Sequence, residues 1–272
     1  MVEFPDWTRA FVIMGDDPDN GLRVVRLDDE GRLSAFVIDS RDAWEQILTI
    51  GNAELAARLG SLQRFDSRGN LQYGTDFSEG LPGWWTGGNG LGAAEALDPT
   101  TFVKGGYSVK LTAGSTLNHW ARVQGAISYV PTTRMGAEAV FSLAGATGDV
   151  ELWCSVYSGT HTYEVKVRYD YANSNLEVWD GNPDWVVVDN TFTMYTDTRL
   201  FHHIKVVWDM SAETYVRVLV NGTEYPATAY ALETAVLEFT PIVSVIFTNT
   251  GRLAANDVVN LDSIVVTNQE PE

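Results

Sequence analysis

RFDSRGNLQYGTDFSEG (residues 64–80) joins two kinds of sequence. Its first half has the chemistry of a hairpin loop: an aspartate that bonds its own backbone to open a turn and a glycine that supplies the positive φ to close it. Leu62, Phe65, Leu71 and Tyr73 would form the arms. From Gly74 the pattern turns almost wholly to β, with no flexible glycine-rich linker at 73–76. The motif has an echo upstream. RLDDEGRLS (26–34) and RFDSRGNLQ (64–72) both read Arg–apolar–Asp–x–x–Gly–x–Leu–polar, and Leu22, Val24 and Leu33 to Ile38 would arm the first hairpin. Two copies are too few for a solenoid, and two unrelated hairpins sharing common turn residues would read the same way.

Between the hairpins lies SRDAWEQILTIGNAELAARLG (40–60). Ser40 can cap a helix, Asp42 and Glu45 favour its N-terminus, and Trp44, Ile47 and Leu48 make an apolar stripe. Gly51 and Asn52 interrupt it, and Gly60 ends the second piece. Residues 1–73 therefore read as a small hairpin–helix–hairpin unit. Such a unit carries strand edges that need a partner, which predicts attachment or self-assembly at this end.

Composition narrows the function. The formal net charge is −18, from 36 Asp and Glu against 18 Lys and Arg, which argues against nucleic acid as a direct partner and suits a soluble surface or one facing a basic partner. The lone cysteine, Cys154, permits no intrachain disulfide and sits in the strand-like LWCSVY, where it reads as a small buried apolar residue. The apolar run AFVIM near the start is too short for a signal peptide or a membrane span, so the expectation is synthesis in a cytoplasm and no membrane partner. Asn221-Gly222-Thr223 then reads as a hairpin turn.

Residues 74–272 offer about a dozen strand candidates, among them YSVKLT, HWARVQGAISYV, DVELWCSVYS, TYEVKVRYDY and LFHHIKVVWDM, most punctuated by Gly, Pro, Asn or Asp. That density predicts a mainly β protein whose larger part is a two-sheet jelly-roll sandwich; a barrel or a shorter sandwich fits the same spacing.

Four pieces in order resemble the concanavalin-like, laminin-G-like and carbohydrate-binding jelly rolls: TDFSEGLPGWW, GGYSVKLTAG, LFHHIKVVWDMSAETYVRVLVNGTEY and VVNLDSIVVT, with Phe201 where those families usually have Trp. The likeness spans 74–268 and implies a fold, since lectins, enzymes, toxins and virus parts all use it. LRVVRLDDEGRLSAFV and AELAARLGSLQRFDSRGNLQYGTDFSEGLPGW resemble structural proteins of tailed phages, in which a short hairpin adaptor precedes a jelly-roll head. That resemblance implies a virion protein: a capsid decoration, a tail-associated protein or a fibre base, made in the host cytoplasm, whose partners are other virion proteins and its own copies, with surface glycans as a further partner of the head.

The site residues follow from alternation. ELWCSVYS puts Leu152, Cys154 and Val156 on one face and Trp153, Ser155 and Tyr157 on the other. Trp153 and Tyr157 are then placed to stack on sugars, or to pack on the N-terminal unit or a neighbouring subunit. In TYEVKVRYDY, Val165, Val167 and Tyr169 oppose Glu164, Lys166, Arg168 and Asp170, whose polar groups would line a groove. Of Trp84 and Trp85, one is expected to pack into the sandwich and the other, taken as Trp85, to stand exposed as a contact residue. The ligand-binding set is Trp153, Tyr157, Arg168 and Trp85. The resemblance also implies a structural calcium site at Asp76 and Asp262, the carboxylates in the first and last strands, short of the six to eight oxygens calcium takes; no other cofactor is expected. Catalysis is not expected. The E-x-D-x-x-E pattern of retaining glycosidases on this fold is missing, and Glu164 and Asp170 lie roughly 20 Å apart along an extended strand, too far to share a sugar. His202 and His203 are adjacent in a strand and must face opposite ways.

Overall fold

The structure, a computed structural model, describes residues 24–27, 33–36, 66, 68–103, 105–144, 148–182, 184–252 and 257–272. The chain divides into two units, Met1–Leu55 and Ala56–Glu272. In the first, β1 (Val24–Leu27) and β2 (Leu33–Phe36) form an antiparallel hairpin in the register Val24–Phe36 to Leu27–Leu33, as the first loop motif predicts. Leu22, Ile38, the stretch 40–60 expected to be helical and the expected hairpin arms Leu62 and Phe65 lie outside the described residues.

The second unit is an antiparallel sandwich of two eight-stranded sheets, with no helix among the described residues. The front sheet runs in the order β12 (Asp184–Asp189), β11 (Asn175–Asp180), β10 (His161–Asp170), β9 (Asp149–Tyr157), β17 (Ile242–Thr250), β7 (Trp120–Ser128), β4 (Trp84–Gly88), with β16 (Glu233–Val236) also paired to β10. The back sheet runs β15 (Thr223–Pro226), β14 (Thr214–Val220), β13 (Phe201–Asp209), β8 (Arg134–Leu143), β18 (Val258–Asn268), β6 (Ser108–Thr112), β5 (Ala94–Asp98), with β3 (Asn70–Thr75) on β18. Asn70–Tyr73, assigned from sequence to the N-terminal unit, are therefore part of the sandwich: the 73/74 boundary falls inside β3, which pairs with the last strand of the chain.

Alternation builds the core. Val150, Leu152, Cys154 and Val156 from β9, Val165, Val167 and Tyr169 from β10, and Val243, Val245 and Phe247 from β17 all point inward and are buried. They meet Phe141 of the back sheet, whose ring lies 5.3 Å from that of Phe247. Burial raises the Cys154 thiol above its ordinary range, which leaves it an inert core residue. Trp84 turns inward onto Phe77, ring to ring at 5.5 Å, and Trp85 turns out. His202 lies beside Phe141 while His203 points the other way, its Nε2 2.9 Å from Glu138. Between β14 and β15, Asn221 (φ 51°) and Gly222 (φ 86°) make the two-residue turn that needs left-handed backbone at both positions. The Asn221 side chain is spent within the fold, its Oδ1 accepting from the His203 backbone N–H at 2.9 Å.

The outer side of the back sheet holds a buried ionic cluster. Lys205, fully enclosed, donates to Asp66 at 3.1 Å and to the Arg68 carbonyl at 3.2 Å, and lies 2.7 Å from Glu270. Arg217 meets Glu270 at 2.7 Å and donates to the Pro271 carbonyl at 2.8 Å. Arg68 joins the cluster through Asp66 at 2.9 Å and Glu224 at 2.7 Å, so three cations face three carboxylates, the charge closes on itself and buried ions are not left unpaired. The effect is a clamp that fixes both Asp66–Arg68 and the tail Glu270–Pro271 to the sandwich. Burial opposes ionisation of Asp66, but hydrogen bonds from Arg68 and the charge of Lys205 outweigh it and hold the carboxyl below its ordinary value. A depressed folded value contributes stability above the unfolded value near 4 and loses it as pH falls through the folded one. Asp66→Asn is expected to lower unfolding free energy by about 1–3 kcal/mol near pH 7. In urea melts the deficit should shrink toward zero as pH drops below about 4; a deficit unchanged with pH would show that the clamp is not ionic.

Candidate functional site

The outer face of the front sheet carries the polar residues that alternation turns away from the core. From β9 these are Glu151, Trp153, Ser155 and Tyr157; from β10, Glu164, Lys166 and Arg168; from β11, Glu177 and Trp179. Register sets their neighbours. Lys166 stands opposite Trp153, Arg168 opposite both Glu151 and Glu177, and Trp179 opposite Trp185 of β12.

These side chains interlock. The Lys166 ammonium lies 4.5 Å from the ring centre of Trp153 and 4.6 Å from that of Trp179, wedged between two indoles. Arg168 lies 4.2 Å from the ring centre of Trp185 and donates to Glu177 at 2.5 Å. Trp179 and Trp185 meet edge to face at 5.3 Å. Both central indole N–H groups are committed: Trp153 donates to Glu164, which also accepts from the Ser155 hydroxyl at 2.9 Å, and Trp179 donates to Glu233 of β16 at 2.7 Å. Each cation–π contact of this kind contributes about 0.5–2 kcal/mol and, more to the point, fixes the rings in place.

The row is supported from below. Tyr215, on β14 of the back sheet, crosses the core to the gap where β10 leaves β11 and passes to β16. Its hydroxyl accepts from the Lys166 backbone N–H at 3.0 Å and donates to the Trp179 carbonyl at 2.8 Å, with the Lys166 carbonyl 3.2 Å away. One phenol thus ties the backbones of two neighbouring site residues together.

Electrostatically the face is crowded with carboxylates. Burial, joined by the charge of Asp149, pushes Glu151 up to about 7, against the pull of Arg168 and Lys166. Burial also raises Glu164, and the hydrogen bonds from Trp153 and Ser155 offset only part of it.

The structure places the sequence-predicted residues as follows. Trp153 and Arg168 are central. Trp85, 60% exposed, lies at the far edge on β4 but in the same inter-strand row as Trp153, through Gln124 of β7 and Ile246 of β17. Tyr157 is on the same face, further along β9, where its ring packs on Phe239 at 5.1 Å. Asp170 does not join Glu164: it caps Asn173 and lies 3.1 Å from Arg252. Sequence reasoning missed Trp179, Trp185, Glu233 and Glu151. The two tryptophans had a signal, since they sit symmetrically about Asn182 in WDGNPDW, and pairing of β11 with β12 sets them opposite each other.

Asp262 lies against Val103, and Asp76 lies close to Gly105. Asp262 accepts from the Val103 backbone N–H at 2.5 Å; Asp76 caps the turn at Ser78, and a Cβ on Gly105 would come 2.9 Å from its carboxylate and its carbonyl oxygen. Gly105 also has φ +81°, so the close approach to Asp76 is built into this backbone. Two carboxylates and one nearby carbonyl are hard donors of the kind calcium takes, but fewer than a full shell. Among the described residues no group of three or more His, Cys, Asp or Glu is gathered to hold a metal ion.

No protein-family model matches the chain, and no curated protein matches it. Solved structures do. The chain is similar to the cellulose induced protein Cip1, at 14% identity over 72% of this chain and 97% of the other, with a TM-score of 0.50, a likeness of fold alone. Looser likenesses are to a carbohydrate esterase of Shiga toxin-encoding bacteriophage phi24B (15% identity, 74% and 100% of the chains, TM-score 0.48) and to lectin II from Ulex europaeus (11% identity, 73% and 99%, TM-score 0.46).

The raised Glu151 has a measurable consequence. The folded carboxyl binds its proton more tightly than the unfolded one, so between about pH 4 and 7 the folded state holds the extra proton and stability falls as pH rises. Glu151→Gln removes that loss. The variant should match the parent below about pH 4 and exceed it by about 1–3 kcal/mol at pH 8 in urea melts. Equal stability at both pH values would show that this carboxyl ionises freely.

Proposed function

We propose that the chain is a non-enzymatic carbohydrate-binding protein, with the outer face of the front sheet as its glycan site. The observation that carries this reading is the row of half-exposed indoles held rigid by Lys166 and Arg168 and flanked by carboxylates. Aromatic surface covers the apolar faces of sugars, and fixed carboxylate oxygens accept from their hydroxyls. The carboxylates of Glu164, Glu177 and Glu233 are engaged by indole, hydroxyl and guanidinium donors, not paired across a scissile bond. A glycan array probed with the full chain should give selective binding that falls at least tenfold in Trp153→Ala and Trp179→Ala, with folding checked by near-ultraviolet circular dichroism. Binding unaffected by either folded variant would move the site elsewhere on the molecule.

A second reading concerns how the sandwich is displayed. The described part of the first unit is a two-stranded sheet, marginal in isolation and with both outer edges open to pairing among the described residues. With the phage-like hairpin motifs, this supports a virion structural role in which the first unit attaches to other virion proteins or to its own copies as a capsid decoration, tail-associated protein or fibre base. Light scattering on the full chain should then return a stable oligomer, reduced to a monomer when residues 1–55 are removed. A full-length monomer at high concentration would count against attachment through its own copies.

A further inference from the structure

The geometry points to the class of glycan, an inference that rests on the binding reading above: a neutral, linear, equatorially linked chain lying across the strands and engaged along its length, not at one end.

Extent comes first. Trp85, Gln124, Ile246, Trp153 and Lys166 occupy one cross-strand row through the registers of β4, β7, β17, β9 and β10, and the row continues through Trp179 and Trp185 on β11 and β12. Six inter-strand steps at about 4.8 Å span roughly 29 Å, the length of several sugar units. An exposed ring stands at one end and a cluster of three indoles toward the other. A terminal sugar would use one end of such a row; an extended chain uses both.

Charge comes second. The two cations in the row are already answered within the face, Arg168 by Glu177 at 2.5 Å and Lys166 by Glu233 at 3.7 Å. The N–H groups of Trp153 and Trp179 are likewise given to Glu164 and Glu233. What these groups still present is acceptor oxygen and apolar ring surface, which suits a ligand rich in hydroxyl donors and without carboxylates of its own. The formal net charge of −18 adds a long-range repulsion against acidic chains. Linkage comes third: an equatorially linked chain is extended and presents flat apolar faces, whereas an axially linked one winds away from a straight row.

Calorimetric titration of the full chain with neutral β-1,4-linked gluco-, manno- and xylo-oligosaccharides, from disaccharide to octasaccharide, beside oligogalacturonides of matched length, tests this. For at least one neutral series, affinity should climb at least tenfold between the disaccharide and the hexasaccharide, equivalent to about 1.4 kcal/mol. The exposed Trp85→Ala should lose that gain, and the oligogalacturonides should bind more weakly. Affinity independent of length, full competition by a monosaccharide, or tighter binding of the uronate series would overturn the inference while leaving glycan binding in place. Binding of no chain in the panel or on the array would remove the binding reading and this inference together.

Discussion

The Tyr215 hydroxyl is the constraint on which the arrangement of the front face depends. Where β10 parts from β11 to reach β16, backbone groups that a continuous ladder would satisfy are left inside the protein. A buried N–H or C=O without a partner costs about 1–3 kcal/mol, and a side chain from the opposite sheet supplies what the ladder cannot. Because the two groups it satisfies belong to Lys166 and Trp179, the same phenol that closes a gap in the sheet also sets the separation of a cation and the indole it rests on. Packing between the sheets and the chemistry of the outer surface are thereby one problem. The core does not merely carry the site; it reaches through the sheet to hold it.

The ionic clamp on the other sheet solves a related difficulty. A chain that enters a sandwich beside its own C-terminal strand has two ends that fray together. Lys205 and Arg217 answer this by gathering Asp66, the Arg68 carbonyl, Glu270 and the Pro271 carbonyl into one buried cluster. Such a cluster contributes less to net stability than a well-packed apolar one, because both partners lose hydration, but it tolerates few alternative geometries. Its effect is to hold Asp66 and Arg68 beside the C-terminal residues Glu270 and Pro271.

How much of this could be read from the residues depends on how far apart the determinants lie. Alternation in ELWCSVYS and TYEVKVRYDY is local, so the inward set of Leu152, Cys154, Val165 and Val167 and the outward set of Trp153, Lys166 and Arg168 were legible. The Asn221-Gly222 turn was legible for the same reason. The destination of β3 was not: Leu71 and Tyr73 look like the arm of a local hairpin, and nothing nearby reveals that their partner is β18, about 190 residues further along the chain. Glu233 was missed because β16 docks on β10 across a separation of some seventy residues. Nothing in the sequence sets Glu151 apart from the other carboxylates of an acidic protein, and only folding surrounds it with Asp149, Arg168 and Lys166.

The edge-to-face meeting of Trp179 and Trp185 also gives the molecule an optical signature. Two indoles 5.3 Å apart and inclined at 75° hold their transition dipoles close and fixed, the condition for exciton coupling. The front surface therefore carries its own chromophore pair, whose split chiroptical band reports the integrity of the β11–β12 hairpin without any label. Since the only thiol, Cys154, is sealed in the core, dyes placed on engineered surface cysteines would read neighbouring distances free of interference from a native sulfhydryl.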